Sequence, residues 1–290
     1  MADFAQFLFS GLATGAIYAL AALGFTLIYN ACGVINFVQG DFLMLSAMTT
    51  SALLMHGVNY PGAALAGIAV TVLIGVVLYQ YAIKPAKDAN VVSLIIITIG
   101  ASIFIQGMVQ ILLGKNQQVL PSFSGDTPLN ILQAFILPQS LWVLGTSAIM
   151  VLACAVFFRF TLTGKAMLAV ASNKLAAQAV GIPVHRILQL SFGLSALLGA
   201  IAGIVAAPIT TTSYDIGLML GMKGFVAATL GGLGSGGGAV LGGLLNGILE
   251  ALVAGYISSA YKDAAPFVLI IFILIAMPQG LLGAAPRERV

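Results

Sequence analysis

Few side chains in this 290-residue chain could do chemistry, and the two carboxylates inside apolar stretches, Asp41 and Glu250, stand out. An ionisable group at bilayer depth is costly and normally faces a bundle interior or a cavity, so Glu250 reads as an ion- or solute-handling group. The alternative is a protonated or hydrogen-bonded Glu holding helices or subunits together. Asn36, Gln39, Thr98, Gln106, Thr229 and Asn246 are the other polar groups placed to line a translocation pathway. For each of them, hydrogen bonding between helices is the rival role.

Catalysis finds no footing. His56 and His185 are far apart in sequence and fall on opposite predicted sides of the membrane, with no Ser/His/Asp, H-E-x-x-H or paired-Asp arrangement. Cys32 and Cys154 lie in or beside apolar segments at unrelated spacing, which suggests neither a disulfide framework nor a metal site. No G-x-x-x-x-G-K-[ST] run is present, so this chain supplies no P-loop for nucleotide. The excess of 11 Lys+Arg over 8 Asp+Glu is dispersed, and no basic run points to nucleic acid.

The elements that must hold these groups are membrane helices. Hydrophobic residues make up 60% of the chain and charged residues 7%, with a mean hydropathy of +1.11, whereas soluble domains carry about a quarter charged residues. After Asp3 the next Asp, Glu, Lys or Arg is Asp41, and 42–55, 89–114, 127–158, 187–214 and 224–249 contain none. Crossing a bilayer takes about 20 residues. Neither the polar face of a soluble helix nor the alternation of a membrane barrel is present.

Expected spans fall near 7–29, 34–55, 62–83, 91–113, 139–158, 187–208, 216–232, 238–257 and 264–283. The predicted fold is therefore all-α, a polytopic bundle of about eight or nine membrane segments, some broken or re-entrant. A single membrane domain over 1–290 is expected. The N-terminal segment lacks a basic n-region and a cleavage motif, and reads as a retained first span. Positive charge collects at Lys84/Lys87, at Arg159/Lys165/Lys174/Arg186 and at Arg287/Arg289. The positive-inside rule places these in the cytoplasm, with the N-terminus outside, the C-terminus inside and YKDAAP at 261–266 outside.

Two stretches interrupt the smooth helices. In 32–45, Asn36, Gln39 and Asp41 interrupt an apolar stretch whose backbone Gly33 and Gly40 loosen. This is either irregular backbone at membrane depth or a short turn in which Asn36 or Asp41 caps the next helix. The glycine-dense run 223–243 is expected to be a tight inter-helix hairpin, since no βαβ unit surrounds it.

The charged segment 159–186 is expected to be an ordered docking loop. Ser172 or Asn173 can cap a helix over about 174–180, Gly181 supplies a left-handed stop, and Pro183 prevents continuation. Leu175 and Ala179 line one side, Lys174 and Gln178 a more polar one, as for a helix laid into a partner's groove. An interfacial helix resting on head groups is the alternative.

The run T-L-T-G-K-A…N-K-L-A-A-Q-A-V-G-I…S-F-G-L-S-A-L-L-G-A-I-A-G resembles the cytoplasmic loop and following helix of branched-chain amino acid ABC importer permeases. G-L-A-T-G-A-I-Y-A-L-A-A-L-G-F-T-L-I-Y…G-V-I-N-F-V-Q-G-D-F-L-M-L and A-T-L-G-G-L-G-S-G-G-G-A-V-L-G-G…P-Q-G-L-L-G resemble the family's opening and closing segments. The first permease of the high-affinity leucine/isoleucine/valine importer is the nearer likeness.

The resemblance implies a bacterial inner-membrane permease working with a second permease subunit, two cytoplasmic ABC ATPases and a periplasmic substrate-binding protein. ATP and Mg would be bound by the ATPases, with no cofactor on this chain. The loop 159–186 would couple to them through Asn173, Lys174, Ala176, Ala177, Gln178 and Gly181. Relatives of this class move urea, short amides or other amino acids, which leaves those as alternative cargoes. A self-sufficient secondary transporter using Asp41 and Glu250 is a rival of another class. The family often has His where this chain has Gln39, and Arg where it has Met277.

Overall fold

The computed structural model describes residues 2–86, 89–125, 127–131 and 134–283; Lys87, Arg287 and Arg289 lie outside the described residues. The chain runs through α1 (Ala2–Cys32), α2 (Gln39–Met55), α3 (Tyr60–Leu78) with a π-helical turn Tyr79–Ile83, and α4 (Val91–Leu113). A small antiparallel hairpin follows, β1 (Leu129–Ile131) with β2 (Ala134–Ile136), and then α5 (Pro138–Phe160). The second half holds α6 (Leu162–Ser172), α7 (Lys174–Ala179), α8 (Val184–Thr210), α9 (Ile216–Gly231), α10 (Gly236–Tyr256) and α11 (Ala265–Ala276).

The all-α bundle is as the composition requires, and each of the nine expected segments coincides with a helix. Among the described residues six helices are long and apolar enough to cross a bilayer: α1, α3 with its π turn, α4, α5, α8 and α10. The 17-residue α2, the 16-residue α9 and the 12-residue α11 fall short of the ~20 residues a full crossing takes.

Helices α1 and α8 form the centre, with 83% and 72% of their apolar windows buried, whereas α5 has 11% and α4 17%. Small residues explain α1's position. Gly11 and Gly15 meet Gly243 and Gly247 of α10, and a Cβ on Gly247 would lie 2.2 Å from the Gly15 nitrogen. Lipid tails are as apolar as leucine, so helix association depends on such close backbone approach. Helix α2 is enclosed along most of its length, with Phe42, Leu43, Met44 and Met48 fully buried.

The two interruptions take definite forms. Between α1 and α2 the backbone is non-helical over 33–38, and Gly33 has a φ of +74°. Neither Asn36 nor Asp41 caps α2: Val38 occupies the N-cap position, with no side-chain cap. Asn36 instead folds its Oδ1 back to accept from the Val38 N–H at 3.3 Å, and Asp41 lies inside the first turn. The Phe37 N–H donates to Thr98 Oγ1 at 3.4 Å, about 10 Å into α4 at 1.5 Å per residue. This is irregular backbone inside protein, where unpaired groups find side-chain partners.

The glycine-dense run is the tight hairpin expected. Gly231 ends α9, Gly232 and Gly234 adopt φ of +101° and +95°, and Ser235 caps α10 by accepting from the Gly238 N–H at 3.1 Å. A Cβ on Gly231 would lie 1.9 Å from the Gly238 carbonyl oxygen, so only glycine lets the arms meet. The segment after α11 closes over it, Leu281 and Leu282 donating to Leu230 and Gly231 at 2.9 Å each.

Candidate functional site

The buried polar groups gather in two places, and a third element projects from the bundle. The first cluster surrounds the start of α2. The Gln39 amide donates to the Ser195 carbonyl at 3.3 Å, and the Ser195 hydroxyl lies between Gln39 Oε1 and the Gly24 carbonyl, 2.9 Å from the latter. A Cβ on Gly24 would lie 2.0 Å from Gln39 Nε2, so that glycine makes the slot the side chain occupies.

Two residues on, Asp41 Oδ1 accepts from Gln106 Nε2 at 2.9 Å, and Gln106 also donates to Ser102 Oγ at 3.2 Å. Asp41 Oδ2 and Asn36 Nδ2 are buried with no hydrogen-bond partner among the described residues. Unpaired polar atoms at membrane depth are expensive, so this cluster is poised to take a further partner. Beside it α2 and α9 touch backbone to backbone: a Cβ on Gly40 would lie 1.9 Å from the Gly217 carbonyl oxygen.

The second cluster joins α1, α9, α10 and the segment before α11. Lys223 Nζ donates to Glu250 Oε1 at 2.8 Å, to Asp263 Oδ1 at 2.6 Å and to the Tyr18 hydroxyl at 3.1 Å. All three ammonium donors are used. Tyr18 in turn donates to Glu250 Oε2 at 2.8 Å. Lys223 and Glu250 are 4% and 7% exposed, and Lys223's hydrogen bond holds the half-exposed Asp263 carboxyl below its ordinary value. Asn246 Nδ2 donates to the Lys223 carbonyl at 3.4 Å. Pairing is what makes two charges tolerable here.

The expected pathway residues thus divide. Asn36, Gln39, Thr98 and Gln106 come together around α2, Asn246 and Glu250 belong to the ion cluster, and Thr229 stands apart, bonded to the Phe225 carbonyl at 2.8 Å within α9. Sequence reasoning missed Lys223, Tyr18, Asp263, Ser102 and Ser195. A lone lysine flanked by apolar residues was a usable signal for Lys223, because such a charge needs a partner. The serines and the tyrosine gave none.

The projecting element is the loop 159–186. Thr161 caps α6 by accepting from the Gly164 N–H at 2.9 Å, and Asn173 caps α7 by accepting from the Ala176 N–H at 3.0 Å. Gly181 has a φ of +85° and Pro183 precedes α8. The capped, glycine-stopped helix expected here is present, one residue shorter at Ala179. Ala177 turns inward against a small cluster that includes Met167, Val170, Val184 and Ile187, while Leu175 and Val180 are 79% and 77% exposed.

Comparison with known proteins matches residues 7–274 to the family described as branched-chain amino acid transport system, permease component. The permease LivH of Escherichia coli K12, named for high-affinity branched-chain amino acid transport, is 34% identical over 99% of this chain and 98% of its own length. BraD of Pseudomonas aeruginosa, a permease named for the same system, is 30% identical over 98% and 97%. The solved PsaBC complex of Streptococcus pneumoniae with a Fab shares the fold alone, with a TM-score of 0.52 and 16% identity over 94% of this chain and 93% of that one. With buried polar clusters inside a multi-pass bundle and relatives aligned end to end, the chain belongs to the family of branched-chain amino acid transport system permease components.

Proposed function

We propose that this chain is the membrane-spanning subunit of an ATP-driven importer that passes branched-chain amino acids into the cytoplasm. The observation that carries the coupling half of this reading is α7, a helix locked at both ends that presents Leu175 and Val180 to a partner. Exposed apolar side chains on a rigid short helix suit the groove of an ATPase. Asn173, Lys174, Ala176, Gln178 and Gly181 form the coupling element, and buried Ala177 anchors it to α6 and α8, so that a push on α7 tilts the bundle.

Two ATPases bind ATP and Mg, and this chain binds neither. A second permease subunit completes the pathway as a heterodimer, and a periplasmic binding protein delivers the cargo. With α7 in the cytoplasm of an inner-membrane protein, and with the shorter α2, α9 and α11 counted as crossings, the N-terminus falls outside and the C-terminus inside. The domain is one permease unit with 159–186 as its coupling loop. Asn36, Gln39, Thr98 and Gln106 face the translocated zwitterion, with Thr229 nearer the cytoplasmic hairpin; Asn246 and Glu250 hold the wall of that pathway in shape.

A cysteine replacing Gln178 is expected to crosslink to the ATPase subunit, and a Gly-Ser replacement of 172–182 to abolish ATP-driven leucine uptake by the reconstituted complex. Absence of the crosslink together with full uptake by the replacement overturns the coupling role. Leucine binding by the partner binding protein, read by calorimetry against urea and acetamide, decides the cargo.

A further inference from the structure

A chamber of about 580 Å³ lies between α1, α5, α6, α8 and α10, and none of its lining residues belongs to either polar cluster. Its walls are apolar, Leu23, Leu27, Phe158 and Val240 among them, and its volume suits a small-molecule or chain-like ligand, about 300–1,000 Å³ being usual. Leu168 and Leu241 line it while remaining 50% and 46% exposed. The mouth is therefore lined by exposed apolar side chains, beside the little-buried α5.

Polarity rises along α1 toward the α7 end. Thr26 is 3% exposed and its hydroxyl has no partner among the described residues. One turn on, Asn30 bonds the Gly234 carbonyl through its Nδ2 at 2.9 Å. Asn30 and Ala171 also line a second cavity of about 510 Å³, whose rim carries Lys174. The Lys174 ammonium donates to the Cys32 carbonyl at 3.2 Å, and among the described residues no carboxylate lines either cavity.

We propose that the two adjoining cavities, which share Asn30 and Ala171 as walls, form a binding site for one anionic phospholipid. One acyl chain fills the apolar chamber, the glycerol ester meets the Thr26 hydroxyl and Asn30, and the phosphate sits at Lys174. Apolar depth, the unpartnered Thr26 hydroxyl and a cation at the rim follow the order of a phospholipid from tail to head, and basic pockets at the ends of membrane helices are where anionic head groups bind. A free amino acid fits poorly, because its ammonium would be buried with no carboxylate to meet it. The lipid would wedge the wall behind α6 and α7. The cytoplasmic leaflet assignment rests on the orientation proposed above, whereas the labelled peptides and the head-group preference do not, so the two fail separately.

The test reconstitutes the full chain in nanodiscs containing phosphatidylglycerol, with a photoactivatable diazirine at the acyl terminus, and maps labelled peptides. Labelling concentrated on 151–158 and 240–241 is expected, falling about fivefold in Ala155→Trp, which fills the mouth. Lys174→Gln is expected to lower labelling by the phosphatidylglycerol probe about threefold and to leave that by a phosphatidylethanolamine probe unchanged. Should Ala155→Trp not fold, Leu241→Trp at an exposed position blocks the same mouth. Labelling no stronger than on the lipid-facing side of α4, or insensitive to both tryptophans, overturns the site. Equal loss of both probes in Lys174→Gln overturns the head-group assignment, and labelling of the same peptides by a diazirine leucine analogue makes the chamber part of the solute path instead.

Discussion

The two polar clusters are built from similar materials and solved differently. Around Lys223 every ammonium proton and both Glu250 oxygens are engaged, and four separate segments are tied to one another. Around Asp41 the bonds are to neutral amides and hydroxyls, and Asp41 Oδ2 and Asn36 Nδ2 are left without partners. Asn246 Oδ1 beside them has no partner among the described residues, but the charged groups themselves are saturated and behave as a clasp, since moving one strands another. An unsaturated network can accept a passing group without breaking its own frame. The first arrangement suits a structural clasp, and the second is where the proposed solute path runs.

The hardest blow to this contrast is Lys223→Met. It strands Glu250 in the interior and should cost about 3–5 kcal/mol, the usual penalty for breaking a buried pair. Melting of the purified protein in detergent reads it, and a midpoint equal to wild type would remove the clasp from the account. Restoring stability with Glu250→Met on the same background sharpens the case, because the stranded charge is then gone.

Asp41→Asn tests the other side. A hydrogen bond to a charged group contributes about 1.5–3 kcal/mol, so if that group meets the solute, leucine uptake drops roughly tenfold or more. Melting should change little, the amide still accepting from Gln106. Normal uptake by this variant would make the open cluster a structural one too. Ser195→Ala is smaller again: it removes one hydroxyl beside Gln39 and should cost about 1 kcal/mol of stability.

The smallest effect is one of pH. Asp263 titrates below its ordinary 3.8 because Lys223 donates to it, so the stabilisation it brings is complete above that value and is lost as pH falls through its lowered folded value. Being half exposed, it is partly screened by solvent. Melting points measured from pH 6 downward should converge for wild type and Asp263→Asn in acid; parallel curves would exclude the linkage.

Much of this architecture was legible because its causes are local. Charge-free runs marked the helices, and Asn173, Gly181 and Pro183 marked both ends of α7. The entry to α2 was only half legible: Gly33 and the polar interruption left irregular backbone and a capped turn both open, and the cap is absent because Asn36 spends its oxygen on Val38. The clasp was not legible as a whole. Tyr18 and Glu250 are 232 positions apart and Lys223 and Glu250 are 27 apart, and no local periodicity connects them.

The sequence by itself determined that this is a membrane bundle, where its apolar helices run and where α7 is capped, because hydropathy and capping act within a few residues. Tertiary structure decided which helices are inside. Helices α1 and α5 are both apolar enough to cross a bilayer, yet 83% of one window is buried and 11% of the other. Lipid tails solvate apolar side chains as well as protein does, so hydropathy cannot sort the interior from the rim. Glycine pairs such as Gly15 with Gly247, and partners for the few buried charges, do that sorting, and both exist only once distant helices have met.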